Sequence, residues 1–247
     1  MAHSTRWSVD MRVYFVRVFF LLMGTMFLLS CVSGPQMEES FVLQGMVYDR
    51  AGNPVTDAVI EIEGKQMGVS DFNGRFYIPG MVPGTYTVGV QKEGYLPYEG
   101  TVAIRSHTDV LYVGMVSWED LCRRAERALQ EGRWGEAEQA ISRALEIKPD
   151  EPLVRFLAAV VCAMPARPER RPDRAVELLE DLLSEGYREP AIYLMLADLY
   201  EYDFKDLVKA EERLSQYLSL KQDTEAENRL AALRDMLLLS SKPDGQK

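Results

Sequence analysis

Few residues of this chain are placed to do chemistry. It holds three cysteines, Cys31, Cys122 and Cys162, and two histidines. No Cys/His cluster has metal-ligand spacing, so neither a metal nor another cofactor is expected. His107 lies in Ser-His-Thr-Asp, which reads as a turn between strands. A nucleophilic triad needs a base beside its nucleophile, and His107 has no such setting. The carboxylates are plentiful, but in so acidic a chain they read as solvated helix faces. Asp71-Phe72-Asn73-Gly74 lacks the further carboxylates that would complete the roughly six to eight oxygen ligands of calcium, and it reads as a turn. An enzyme is therefore not expected. Cys122 and Cys162 fall in segments of helical pattern. A disulfide between them is geometrically possible but unsupported, and both read as free, buried, small hydrophobes. That leaves Cys31, which closes an apolar run.

The run Val18–Cys31, VFFLLMGTMFLLSC, follows Arg6, Arg12 and Arg17. A helix needs roughly 20 apolar residues to cross a bilayer, so this one is too short for a comfortable span. Basic, apolar and then small Ser30 is the order of a secretory signal. Residues 1–10 add little to it, whereas Met11 opens a signal of ordinary proportions and is a candidate start. Leu28-Leu29-Ser30-Cys31 resembles the lipobox of bacterial lipoproteins. The resemblance implies that Cys31 is lipidated and becomes the mature N-terminus, with the body in the periplasm or at the cell surface. An uncleaved signal anchor is the alternative. Val32 is not the aspartate that retains some lipoproteins at the inner membrane, which favours the outer one.

Residues 1–30 hold three of the 28 basic residues and one of the 38 acids, so the remainder carries 25 against 37, a formal charge of −12. So acidic a chain is poorly suited to nucleic acid, and none is expected as a partner, because neutralising phosphates requires clustered Lys and Arg. A net negative body also gains nothing from an anionic surface, so membrane attachment falls to the lipid.

Beyond the signal the chain shows two periodicities. Residues 31–40 form a polar tether. Over residues 41–116 apolar residues alternate, as in Leu43, Gly45 and Val47, then Ala58, Ile60 and Ile62, then Tyr86, Val88 and Val90. Gly, Pro and Asn punctuate the pattern, and Asn73-Gly74 reads as a tight hairpin. Six or seven short strands predict a small all-β sandwich. The stretches GMVYDRAGNPVTDAVIEIEG and GVSDFNGRFYIPGMVPGTYTVGVQKEGY resemble the carboxypeptidase regulatory-like domain, a prealbumin-like sandwich. That resemblance implies a non-catalytic module and makes Tyr86 and Tyr95 packing positions. With Tyr98 they would otherwise offer a platform for sugar rings.

From Trp118 the period becomes helical. Leu121, Ala125, Gly132, Trp134, Ala137, Ile141, Ala144 and Pro149 resemble a tetratricopeptide repeat, whose alanines let two helices approach closely. A second unit runs over Leu153–Met164 and Asp173–Glu185, interrupted by the proline-rich stretch 165–172. The third carries Tyr193, Leu196, Ala197 and Tyr200, then Ala210, Leu214 and Tyr217. Ala197 to Ala210 is one residue longer than Ala125 to Ala137, implying an insertion near Tyr202–Lys205. A helix opening on a Thr224-x-x-Glu227 capping box closes the array with Ala226, Leu230, Leu233 and Leu237. The fold expected is thus a β-sandwich followed by an all-α solenoid over 117–240, with few contacts at the junction and a disordered tail at 241–247.

The tetratricopeptide resemblance implies protein–protein interaction, as an adaptor or assembly factor, on a face lined by each unit's first helix. By register that face takes Glu119, Cys122, Glu126 and Leu129 from the first unit. Leu194, Asp198, Glu201 and Tyr202 come from the third. It is acidic with apolar patches, so a basic or amphipathic protein segment is the expected partner. The alternative function is a lipoprotein that binds carbohydrate or peptidoglycan fragments.

Overall fold

The computed structural model describes residues 40–164 and 170–240. The signal, Cys31 with its expected lipidation, the tether to residue 39 and the C-terminal tail lie outside these residues. From Phe41 onward the chain forms one compact unit. Among the described residues no helix is long and apolar enough to cross a membrane.

Seven strands come first: β1 (Phe41–Tyr48), β2 (Val59–Ile62), β3 (Lys65–Val69), β4 (Arg75–Met81), β5 (Gly84–Gln91), β6 (Tyr98–Ile104) and β7 (Val110–Gly114). They make two sheets, β4-β1-β7 and β3-β2-β5-β6. Pairing is antiparallel except between β1 and β7. The alternating residues meet between the sheets, where Leu43, Val47, Ile60, Ile78, Val88 and Val90 are fully buried. The ring of Phe76 lies across Gly45, and a Cβ there would stand 2.1 Å from its Cζ atom. Only glycine allows that approach.

Asn73-Gly74 does not close a hairpin. The strands it joins, β3 and β4, belong to different sheets, so the turn carries the chain across the sandwich. The two-residue hairpin is instead Glu63-Gly64 between β2 and β3, with φ of +50° and +71°. Glu63 tolerates this because its Oε1 accepts from Thr87 N at 2.6 Å and its own amide donates to Thr87 O. Buried Ser70 is likewise satisfied, donating to Val55 O and accepting from Ala58 N.

Seven helices follow among the described residues: α1 (Trp118–Gln130), α2 (Trp134–Ile147), α3 (Pro152–Ala163), α4 (Pro172–Ser184), α5 (Pro190–Asp198), α6 (Leu207–Leu220) and α7 (Thr224–Ser240). They stack as three pairs and a closing helix, the arrangement of tetratricopeptide repeats. Ala125, Ala137 and Ala144 are fully buried between α1 and α2. Gly132, at φ +70°, ends α1 with the left-handed turn that releases the chain into α2. Cys122 and Cys162 are free and buried. Ala226, Leu230 and Leu233 of α7 close the core.

One cap assignment changes. The helix α7 is capped by Asp223, whose Oδ1 accepts from Glu225 N and Ala226 N, rather than by Thr224. A true capping box sits at the start of α1, where Ser117 and Asp120 exchange bonds. The extra residue of the third unit is absorbed as a π-helical turn, Leu199–Asp203, starting three residues earlier than its expected place.

The junction is also richer than a short link requires. Leu96 N donates to Val116 O at 2.8 Å, and Trp118 N to Gly94 O at 3.0 Å. Lys148 of α2 reaches Glu93 at 2.5 Å. Leu96, Val116 and Trp118 pack against the helical core.

Candidate functional site

The first helices of the second and third pairs, α3 and α5, enclose a pocket of about 390 Å³. The sequence PLVRFLAAVVCA makes α3 apolar on nearly every side, so after its core face is packed Val160, Ala163 and Met164 remain to line the pocket. Met195 comes from the facing helix, and Leu199 and Tyr202 from the π turn. Tyr202 keeps 58 % of its surface exposed. An inserted residue shifts every later side chain by about 100° around the helix, and this one delivers Tyr202 to the pocket rim.

Two acids line the pocket, Asp198 and Asp203, and each already has a cation, Asp198 sharing its own with Glu201. Arg229 of α7 bonds Asp198 Oδ1 at 2.6 Å and Glu201 Oε2 at 2.7 Å. Its guanidinium also lies 5.2 Å from the centre of the Tyr202 ring. Arg170 holds Asp203 at 2.6 Å and donates to the carbonyl of Ala163. The rim is therefore a set of paired charges around an apolar centre. It can seat a hydrophobic side chain and offer hydrogen-bond acceptors at the edge. It offers no nucleophile beside a base.

The residues expected on this face divide. Asp198 lines the pocket, whereas Glu201 does not and is joined to Asp198 through their shared Arg229. Leu194 is half-buried and packs on the helical core. In the first unit Glu126 is exposed and Glu119 half-buried, and neither has a cation partner among the described residues. Leu129 packs partly on the core. Cys122 lines no surface: it is 2 % exposed, and burial, reinforced by Glu126 and Glu119, pushes its thiol up to about 11. Missed entirely were Val160, Ala163, Met164 and Met195, together with the arginines that pair with these acids. Only the length of the apolar α3 run hinted at spare hydrophobic surface.

Elsewhere, His107 is exposed in the turn between β6 and β7. The Asp71 carboxylate accepts from the amides of Asn73 and Arg75 at 2.8 Å, the turn role expected of it. Tyr86, Tyr95 and Tyr98 pack against the sandwich core, and the Tyr86 hydroxyl donates to Val82 O. Among the described residues no group of His, Cys, Asp and Glu is arranged to hold a metal.

Comparison with known proteins gives two kinds of likeness. Residues 42–112 match the family model of the carboxypeptidase regulatory-like domain. No curated protein matches the chain. Solved structures match its helical half. The first TPR domain of human RPAP3 is 15 % identical, covering 51 % of this chain and 97 % of that one, with a TM-score of 0.42. The Yersinia enterocolitica type III secretion chaperone SycD, solved with a peptide of the translocator YopD, is 15 % identical over 50 % of this chain and 94 % of that one, TM-score 0.42. The Sgt2 TPR domain from Aspergillus fumigatus is 14 % identical, covering 53 % and 87 %, TM-score 0.44.

Proposed function

We propose that this protein is a non-catalytic adaptor of the cell envelope, anchored by lipid on Cys31, whose helical pairs capture an amphipathic segment of a protein partner. The observation that carries the capture is the pocket between α3 and α5. It is apolar at its centre, open to solvent and bordered by acids that Arg170 and Arg229 already engage, leaving one net negative charge. An apolar anchor side chain gains most from such a site, while the rim fixes its orientation. A partner recognised by positive charge alone would find Asp198, Glu201 and Asp203 engaged. The sandwich serves as the spacer between tether and array, and the anchor rests on the lipobox.

Both halves of the proposal can be tested in cells. A photo-crosslinking amino acid at position 202 should join a partner through its apolar residues, and Val160→Asp should abolish the crosslink while helicity is kept. Equal crosslinking from Ser142 on α2, or crosslinks that survive Val160→Asp in a folded chain, would remove the pocket from the proposal. Independently, Cys31→Ala should block incorporation of labelled palmitate and leave an unprocessed precursor. Unchanged labelling would remove the anchor.

A further inference from the structure

A second cleft, of about 590 Å³, opens where the sandwich meets the first helical pair. Its composition is unusual for a chain of net charge −10. Five arginines line it, from separate segments: Arg50 from the turn after β1, Arg123, Arg124 and Arg127 from α1, and Arg133 from the loop before α2. Two acids share the lining, Asp120 and Glu136. Asp120 is spent on Arg123, at 2.5 Å, and on the cap of α1. Glu136 is divided between Arg124, at 2.9 Å, and Arg133, which also meets Glu131 outside the cleft. Arg50 and Arg127 have no carboxylate partner among the described residues.

We infer that this cleft binds a phosphate-bearing ligand. The five arginines exceed the two lining acids by three positive charges, and Glu131 alongside reduces the excess to two. That surplus matches a phosphate ester or a diphosphate. A planar carboxylate is served by one guanidinium fork in its own plane, whereas guanidiniums arriving from a β-turn, a helix and a loop suit a tetrahedral oxyanion. The volume is that of a small-molecule site, and Val116 and Leu121 give it apolar wall for the remainder of an organic phosphate. The Asp49 carboxylate fixes the turn that presents Arg50, accepting from the amides of Ala51 and Asn53 at 2.8 Å. The site is separate from the α3–α5 pocket and does not depend on the adaptor reading. A soluble organic phosphate and a phospholipid headgroup share this chemistry.

The test is calorimetric titration of the full chain in detergent with pyrophosphate, with citrate and with monomeric dihexanoyl-phosphatidylglycerol. One or both phosphate probes should bind, more weakly as salt rises. The tighter of the two identifies the source as soluble or lipid. Arg50→Gln with Arg127→Gln should weaken that binding at least tenfold without moving the melting temperature, since neither arginine leaves a carboxylate unpaired. Lys205→Gln with Lys221→Gln, which removes the same two charges at the third helical pair, should leave it unchanged and so exclude a loss caused by net charge alone. Absence of binding by both phosphate probes, or unchanged affinity in the folded double variant, would overturn the inference. Citrate binding as tightly as pyrophosphate would overturn the preference for phosphate.

Discussion

The sandwich and the helical array satisfy their polar groups over opposite distances in the chain. In the sandwich, three aspartates cap their own turns, Asp49 serving Ala51 and Asn53, Asp71 serving Asn73 and Arg75, and Asp109 serving Arg105, while Glu63 reaches across to Thr87. In the array, arginines reach between helices. Arg155 pairs with Glu185, Arg170 with Asp203, Arg213 with Glu180 and Arg229 with Glu201, at separations of 28–33 residues. Each sheet is already held by its backbone ladder, so its turns need only local order. Stacked helices have no backbone bonds between them, and their register must come from side chains. The sandwich should therefore fail through its core, and the array through its pairs as well.

The largest effect should come from Phe76→Ala. Its ring is fully buried over Gly45, so truncation removes contact from both sheets and should cost about 3–5 kcal/mol. If the two regions are autonomous, with the boundary at residues 116–118, strand-type dichroism will melt early while the helical signal keeps its own midpoint. A single common transition would instead mean that the contacts of Leu96, Val116 and Trp118 couple them into one cooperative body.

In the array the counterpart is Glu180→Ala. Glu180 holds both Arg213, at 2.9 Å to each carboxylate oxygen, and the Tyr200 hydroxyl, at 3.0 Å. Losing it strands two part-buried donors and should cost about 1–3 kcal/mol. Alkali tests the same cluster. Burial, with the bond to Glu180, pushes the Tyr200 phenol up to about 12 from its ordinary 10. The neutral form is the one the fold favours, so its contribution is complete below pH 10 and is lost as pH rises through 12. Tyr200→Phe should flatten that part of the melting profile between pH 10 and 12. An unaltered alkaline slope would show that this cluster does not set it.

The same contrast decides what could be read in advance. Leu43/Val47 and Val88/Val90 alternate because one face of each strand is buried, and a period of two is visible in any short window. Strand β3 has no buried residue, and its hairpin uses Glu63 where Asn or Gly would announce the turn, so nothing marked it. In the array the small residues between α1 and α2 announced a helical pair. The 13-residue spacing from Ala197 to Ala210 announced the insertion, but not that a π turn would take it up. The pocket itself was hidden for a physical reason. Apart from Arg155, helix α3 is apolar all round, so periodicity cannot say which side packs and which stays open. Nor does an arginine 28 residues away reveal that it pairs with Glu201.

The smallest effect, and the sharpest test of local capping, concerns Asp49. Although burial opposes it, hydrogen bonds from the Asn53 side chain and from the amides of Asn53 and Ala51 hold its carboxyl below the ordinary value of 3.8. A lowered carboxyl pKa stabilises the fold above the unfolded value, and the gain disappears as pH falls through the folded one. Asp49→Asn keeps an oxygen for both backbone amides and removes the charge together with the acceptor of the Asn53 side-chain amide. Because the turn is partly solvated, the loss at pH 7 should be about 1 kcal/mol or less. The gap between wild type and variant should stay constant above about pH 5 and close below pH 4, as the native carboxyl takes up its proton. Melts of the sandwich signal at successive pH values would follow it. A gap that persists undiminished into acid would show that Asp49 acts through the shape of the turn and not its charge, and the electrostatic half of the contrast would then belong to the array alone.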